Sequence, residues 1–296
     1  HEPYRRQRQM CIRDRYYLFT AGCVNVVLNL FFVVVCGRGV DGVAIATVIS
    51  QIISAVLIVR CLTKSEGMYR LDLSRLKLHR QKVIQIARIG LPAGFQGAIF
   101  SISNVLIQSS VNSFGAIAMA GNTAASNIEG FIYTCMNAVY QTSLSFTSQN
   151  LGAGKIRRIS RILLECLGVV LLVGAAMGFL AYAFGAELLH IYSGDPEVIE
   201  NGLHRMRVIC QTYYLCGMMD VTVGALRGLG YSVMPMLVSL AGVCGVRIVW
   251  IFTAFVWNRS LFTLYISYPI SWGATFVIHL ICFLVVYRKL KARRGA

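Results

Sequence analysis

Charge is scarce in this chain. Of its 296 residues 14% are Asp, Glu, Lys or Arg, and only 12 are acidic, where soluble domains carry about 25% charged residues. With 56% of its residues hydrophobic, the chain has too little polar surface to enclose such a core in water, which excludes an ordinary soluble domain. It also lacks any C-x-x-C pair and any His/Cys spacing that would hold a metal. The ten cysteines therefore read as small apolar side chains among helices rather than as ligands. No H-E-x-x-H, G-x-S-x-G or paired-aspartate signature falls in the apolar stretches, so nothing argues for an enzyme or for a bound cofactor.

What the chain does have is long apolar runs. A bilayer-spanning helix needs about 20 apolar residues. Stretches nearly free of charge cover residues 16–36, 42–59, 89–111, 130–151, 166–186, 208–226, 233–257 and 260–287. They predict an all-α membrane protein of about eight transmembrane helices.

The net charge of +16 could belong to a nucleic-acid binder, but its distribution excludes that reading. Arg60, Lys64, Arg70, Arg75, Lys77, Arg80, Lys82 and Arg88 flank the connection between spans two and three. Lys155, Arg157, Arg158 and Arg161 follow span four, and Arg288, Lys289, Lys291, Arg293 and Arg294 follow span eight. The alternate connections, 112–122 and 185–203, hold no Lys or Arg, and the second carries Glu187, Asp195, Glu197 and Glu200. Cationic residues thus alternate sides with each span, which places the basic loops and the C-terminus in the cytoplasm. The expected location is a bacterial inner membrane, crossed several times, with lipid as the surroundings.

Residues 1–15 stand apart. Arg5, Arg6, Arg8, Arg13 and Arg15 crowd a stretch without helical period, and M-C-I-R-D-R at Met10–Arg15 resembles the translation of a transposon-derived sequencing adaptor. This head is read as artefactual or disordered and set aside; a basic cytoplasmic tail is the alternative. Residues 16–62 then form two helices, and 63–88 an amphipathic cytoplasmic linker. In that linker Leu71, Leu73, Leu76 and Leu78 alternate with Arg75, Lys77 and Arg80, a pattern suited to an anionic membrane surface. Residues 89–288 form a six-helix lobe, and 289–296 a basic tail.

Polar residues inside spans face protein or water rather than lipid. Gln96, Asn104, Gln108 and Asn112 lie four or eight residues apart, on one stripe of span three. Asn122, Ser126, Glu129, Tyr133, Asn137, Gln141 and Ser145 form a second stripe on span four. Two such stripes predict a hydrated cavity, with interhelical hydrogen bonding as the plainer alternative. Gln96, Asn104, Gln108, Tyr133, Asn137, Gln141 and Tyr213 are its candidate lining. Three charges lie within the bundle: Glu129, Asp220 and Arg247. A carboxylate held in a span can take up and release a proton or a cation, which is the chemistry of a coupling site. Asp220 is either such a site or the static partner of Arg247, and Glu129 has no evident partner. Glu165 pairs locally with Arg161, and His279 reads as a packed residue. Gly217, Asp220, Gly224 and Arg227 share a face of span six, and Pro92, Pro235 and Pro269 mark kinks.

Several stretches carry a family resemblance. I-G-L-P-A-G at Ile89–Gly94, S-Q-N-L-G-A-G-K at Ser148–Lys155, L-R-G-L-G-Y-S-V-M-P at Leu226–Pro235 and G-V-A-I-A-T-V-I-S-Q at Gly42–Gln51 occur in the order and spacing of the MATE (multidrug and toxic-compound extrusion) family. The chain resembles that family from its fifth helix to its end. The resemblance implies a twelve-helix transporter of two six-helix lobes around a central cavity, of which this chain holds one complete lobe and the last two helices of the other, an N-terminally truncated fragment. It implies a secondary active exporter of amphiphilic, cationic small molecules, an antiporter coupled to Na⁺ or H⁺ and monomeric when complete. Asp220 falls in a helix where some members carry a functional carboxylate, though about one turn nearer the L-R-G run. Span three lacks the acidic residue familiar there, and Glu129 is the candidate to replace it. A flippase for lipid-linked precursors or polysaccharide, of related fold, is the alternative within transport, and a non-transporting membrane scaffold the alternative outside it.

Overall fold

The computed structural model describes Tyr16, residues 19–64, 71, 72, 77 and 79–293, and every regular element among them is helical. The chain divides into two units, residues 1–79 and 80–296. In the first, α1 (Phe19–Val35) ends in a π-helical turn over Phe31–Val35 and is followed by α2 (Val40–Lys64). Between them Gly37 takes φ +62°, a conformation cheap for glycine and strained for other residues. Asn25 on α1 donates from Nδ2 to Ser50 Oγ on α2 (3.1 Å) and accepts from Asn29 Nδ2 (3.0 Å), so the polar residues of this pair meet each other.

The second unit is a bundle of α3 (Arg80–Asn112), α4 (Ala116–Gly152), α5 (Ile156–Ala183), the short α6 (Gly185–His190), α7 (Pro196–Gly228), α8 (Val233–Trp257) and α9 (Leu261–Arg293). α7 is its axis. Asp195 caps its N-terminus, accepting from the Glu197 N–H at 3.0 Å, with Pro196 in the first turn where a missing N–H costs nothing. On one side α7 joins α4, α5 and α9 through Ile128, Ile132, Met136, Leu163, Val170, Met206, Leu226 and Phe283. On the other it joins α3, α8 and α9 through Ile107, Val111, Ile209, Met219, Val243, Leu264 and Trp272. The helices approach closely because glycines face one another's backbone. A Cβ on Gly121 would sit 2.5 Å from the Val198 carbonyl oxygen, and one on Gly178 would strike the Cys210 carbonyl oxygen. α8 is interrupted by a π-helical segment at Leu240–Gly245, where Gly242 packs on Thr275 of α9.

Large apolar side chains point outward instead of being hidden: Leu172, Phe179, Phe131 and Phe252 are each about two-thirds or more exposed. Five helices, α2, α3, α5, α8 and α9, are long and apolar enough to cross a membrane. α4, at 37 residues, is longer still and α7, at 33, is as long as α3, but these two carry the polar stripe and the charges, and α1 is a shorter apolar helix. Each of the eight apolar runs coincides for most of its length with one of these helices, and α2, α3, α4 and α7 extend beyond their runs at both ends. The linker expected over 63–88 is correspondingly narrower, since α2 continues to Lys64 and α3 begins at Arg80. The basic head at 1–15, most of the surface-lying linker (65–70, 73–76 and 78) and residues 294–296 of the basic tail lie outside the described residues.

Candidate functional site: a charged cavity inside the bundle

The two polar stripes converge. Asn122 of α4 donates from Nδ2 to Gln108 Oε1 of α3 at 2.7 Å, and Gln108 Nε2 donates to Asn112 at 3.1 Å. Beneath this contact a cavity of about 490 Å³ opens between α3, α4, α7, α8 and α9. Ser103, Asn104 and Gln108 line it from α3, Ser126, Glu129 and Tyr133 from α4, and Arg205, Tyr213 and Asp220 from α7. Arg247 comes from α8, and Tyr268 and Trp272 from α9. Trp272 stands edge-on to both Tyr213 (5.3 Å between ring centroids) and Tyr268 (5.5 Å), giving the cavity an aromatic wall.

The charges are handled unequally. Arg205 binds Glu129 in a fork: Nε to Oε1 at 2.8 Å and Nη2 to Oε2 at 2.7 Å. Its Nη1 reaches Asn122 Oδ1 at 2.8 Å. Both partners are nearly sealed, Glu129 being 4% and Arg205 6% exposed. Tyr265 adds a hydroxyl to Asn122 at 3.3 Å, and the Arg205 guanidinium lies 5.5 Å from the rings of Tyr265 and Tyr268. One network thus ties α3, α4, α7 and α9. Arg247 is treated differently. Its Nε donates to Ser271 Oγ at 3.1 Å and its guanidinium rests 4.1 Å from the centre of the Tyr268 ring, but Nη2 is buried without a hydrogen-bond partner. Arg247 follows the π-helical segment of α8 by two residues, and such one-turn widenings recur where a helix carries a site. Asp220 lines the same cavity and, among the described residues, takes part in no ion pair.

Several site expectations are corrected here. Glu129 does have a partner, Arg205, which the sequence reading missed because it precedes the apolar run that opens at Val208. The pair proposed between Asp220 and Arg247 is not formed, since Arg247 turns to Ser271 and Tyr268. Asn104, Gln108, Tyr133 and Tyr213 line the cavity, whereas Gln96, Asn137 and Gln141 do not. Gln96 instead accepts from Arg227 Nη2 at 2.7 Å, while Arg227 Nη1 donates to Tyr140 Oη at 2.8 Å, at the opposite end of α4 and α7. His279 is fully buried, with Nε2 3.2 Å from the Pro235 carbonyl oxygen and 3.4 Å from Ser239 Oγ. Arg161 and Glu165 form the expected one-turn pair. Among the described residues no three His, Cys, Asp or Glu side chains converge as metal ligands would.

Membrane-length helices around a buried, polar and charged cavity define a polytopic helical membrane protein with a polar interior. The model of the MatE family matches residues 92–253, more than half of the chain, and the chain belongs to that family. Among curated relatives it is 20% identical over 260 residues to the probable multidrug resistance protein YoeA of Bacillus subtilis, covering 86% of this chain and 56% of that protein. To the probable multidrug resistance protein NorM of Thermotoga maritima it is 24% identical over 240 residues, covering 78% and 51%. The chain therefore spans about half the length of these relatives. Among solved structures, a MATE protein in complex with MaL6 superposes with a TM-score of 0.84 at 17% identity, over 92% of this chain and 62% of that one. This likeness bears out the all-α, MATE-like fold.

Proposed function

We propose that the protein is a secondary active exporter of amphiphilic small molecules in a bacterial cytoplasmic membrane, with its C-terminus on the cytoplasmic side and H⁺ or Na⁺ moving inward in exchange. The observation that carries this reading is Asp220, a carboxylate on the central helix that lines the interior cavity and, among the described residues, forms no ion pair. Glu129 is neutralised by Arg205, so Asp220 is the acid left to take up a proton or a metal cation. Binding there biases the two access states only if the ion prefers one of them. The aromatic wall of Tyr213, Tyr268 and Trp272 offers apolar and π contacts to a bulky substrate. Glu129 thereby passes from coupling candidate to structural partner.

The test is ethidium efflux from a pump-deficient bacterium that expresses the protein. Asp220→Asn is expected to reach the membrane in normal amount and to export at background rate. Everted vesicles energised separately with a pH gradient or a sodium gradient then identify the ion. Normal export by Asp220→Asn sinks the coupling role.

A further inference from the structure

The cavity holds a separated pair of unpaired charges. Of the four ionisable acid and base side chains that line it, Glu129 and Arg205 cancel through their forked bond, which leaves Asp220 and Arg247 without an ion pair among the described residues. Arg247 is 4% exposed and, among the described residues, spends only Nε on a hydrogen bond, to a neutral serine, while Nη2 is buried and unused. The face of Tyr268 offsets part of the charge, but a ring supplies no acceptor for the remaining N–H groups. A buried guanidinium with unspent donors is costly, and an anionic oxygen is the group that would complete it. Asp220 presents the complementary need on α7, and the rings of Tyr213 and Trp272 line the same space.

Resting on the exporter reading above, we propose that this cavity selects dipolar amphiphiles: Arg247 receives a carboxylate or phosphate of the substrate, Asp220 its ammonium, and the aromatic wall its apolar body. Arg247 is then the residue that separates zwitterions from plain cations. A ligand with both groups satisfies both charges, whereas a plain cation leaves Arg247 in its present state and gains nothing from it.

The experiment uses three matched probes, naphthylethylamine (cation), naphthylpropionate (anion) and naphthylalanine (both), with equilibrium binding to the purified protein in nanodiscs followed by radiolabel. Naphthylalanine is expected to bind about tenfold more tightly than either singly charged probe, the increment of one charge-assisted hydrogen-bonded contact. Arg247→Gln should bring it down to the affinity of naphthylethylamine without weakening the binding of naphthylethylamine itself, which also shows that the variant is folded. Arg247→Lys, which keeps the charge, should retain most of the preference. Equal binding of naphthylethylamine and naphthylalanine, or a preference that survives Arg247→Gln, overturns the dipolar assignment. Ethidium efflux measured alongside separates the two readings: if it persists while the preference is absent, the exporter stands and the dipolar selection falls. If none of the probes binds, the dipolar selection falls as well.

Discussion

A carboxylate and a guanidinium that leave water together lose several kcal/mol of hydration each, and a good fork geometry is needed to recover it. Glu129 and Arg205 have that geometry, with both carboxylate oxygens accepting and Asn122 taking a third N–H. Breaking the pair from one side strands the other charge. Glu129→Gln and Arg205→Gln are each expected to destabilise the protein by about 3–5 kcal/mol, while the double replacement Glu129→Leu with Arg205→Met should recover most of that loss. Thermal unfolding of the purified protein in detergent reads this directly, and additive losses in the double variant would show that the fork contributes no coupling. At this scale the sequence was half legible. Glu129 and Asp220 stand out because a carboxylate at the edge of an apolar run or inside one has no ordinary reason to be there. Arg205 does not stand out, since it sits three residues before the run opens and reads as a loop cation. Its signal was register: Arg205, Tyr213, Cys216 and Asp220 follow at steps of eight, three and four and share one face of α7.

Helix approach decides the packing of the elements. α5 crosses α7 so closely at Gly178 that a methyl group there would strike the Cys210 carbonyl oxygen, while Gly168, on the same helix, has open space around its Cβ position and faces outward. Gly178→Ala is therefore expected to lower the unfolding temperature, through separation of the two helices. Gly168→Ala should leave it unchanged or raise it, because alanine is the better helix former by about 1 kcal/mol. A Gly178→Ala protein as stable as the parent would mean that the backbone contact is not what holds the crossing. The same logic applies at Gly242, where a Cβ would meet Thr275 beside the π-helical segment. The helices themselves were legible as apolar runs, but their ends were not. α7 begins at Pro196, well ahead of its apolar run, and the signal was the Asp195–Pro196 cap rather than hydropathy. The π-helical segment left no mark, since a register change of one hydrogen bond needs no particular residue.

Over the whole molecule, charge asymmetry makes a claim that hydropathy cannot. The turn at Gly154–Lys155 and the end of α9 carry the basic residues, whereas Gly115 and the 191–195 connection carry none. α4, α5, α7 and α9 would otherwise be free to insert in either sense, because a stack of apolar helices has no intrinsic up and down. Anionic lipid and the membrane potential both hold Lys and Arg on the cytoplasmic side, and the bias is set by short loops such as these. Fusing a fluorescent protein that matures only in the cytoplasm after Lys155 or Lys289 should therefore give bright cells. Fusing alkaline phosphatase, which folds only outside, after Ser193 should give active enzyme. Reversing the charge of the α4–α5 turn sharpens the test: Lys155→Glu with Arg157→Glu and Arg158→Glu removes the signal nearest the polar helix α4 while leaving the apolar runs untouched. If orientation rests on the basic loops, part of the protein should then show phosphatase activity at the Lys155 junction. If that junction stays wholly cytoplasmic, packing of α4, α5 and α7 around their glycine contacts fixes the topology, and the loop charges only follow it.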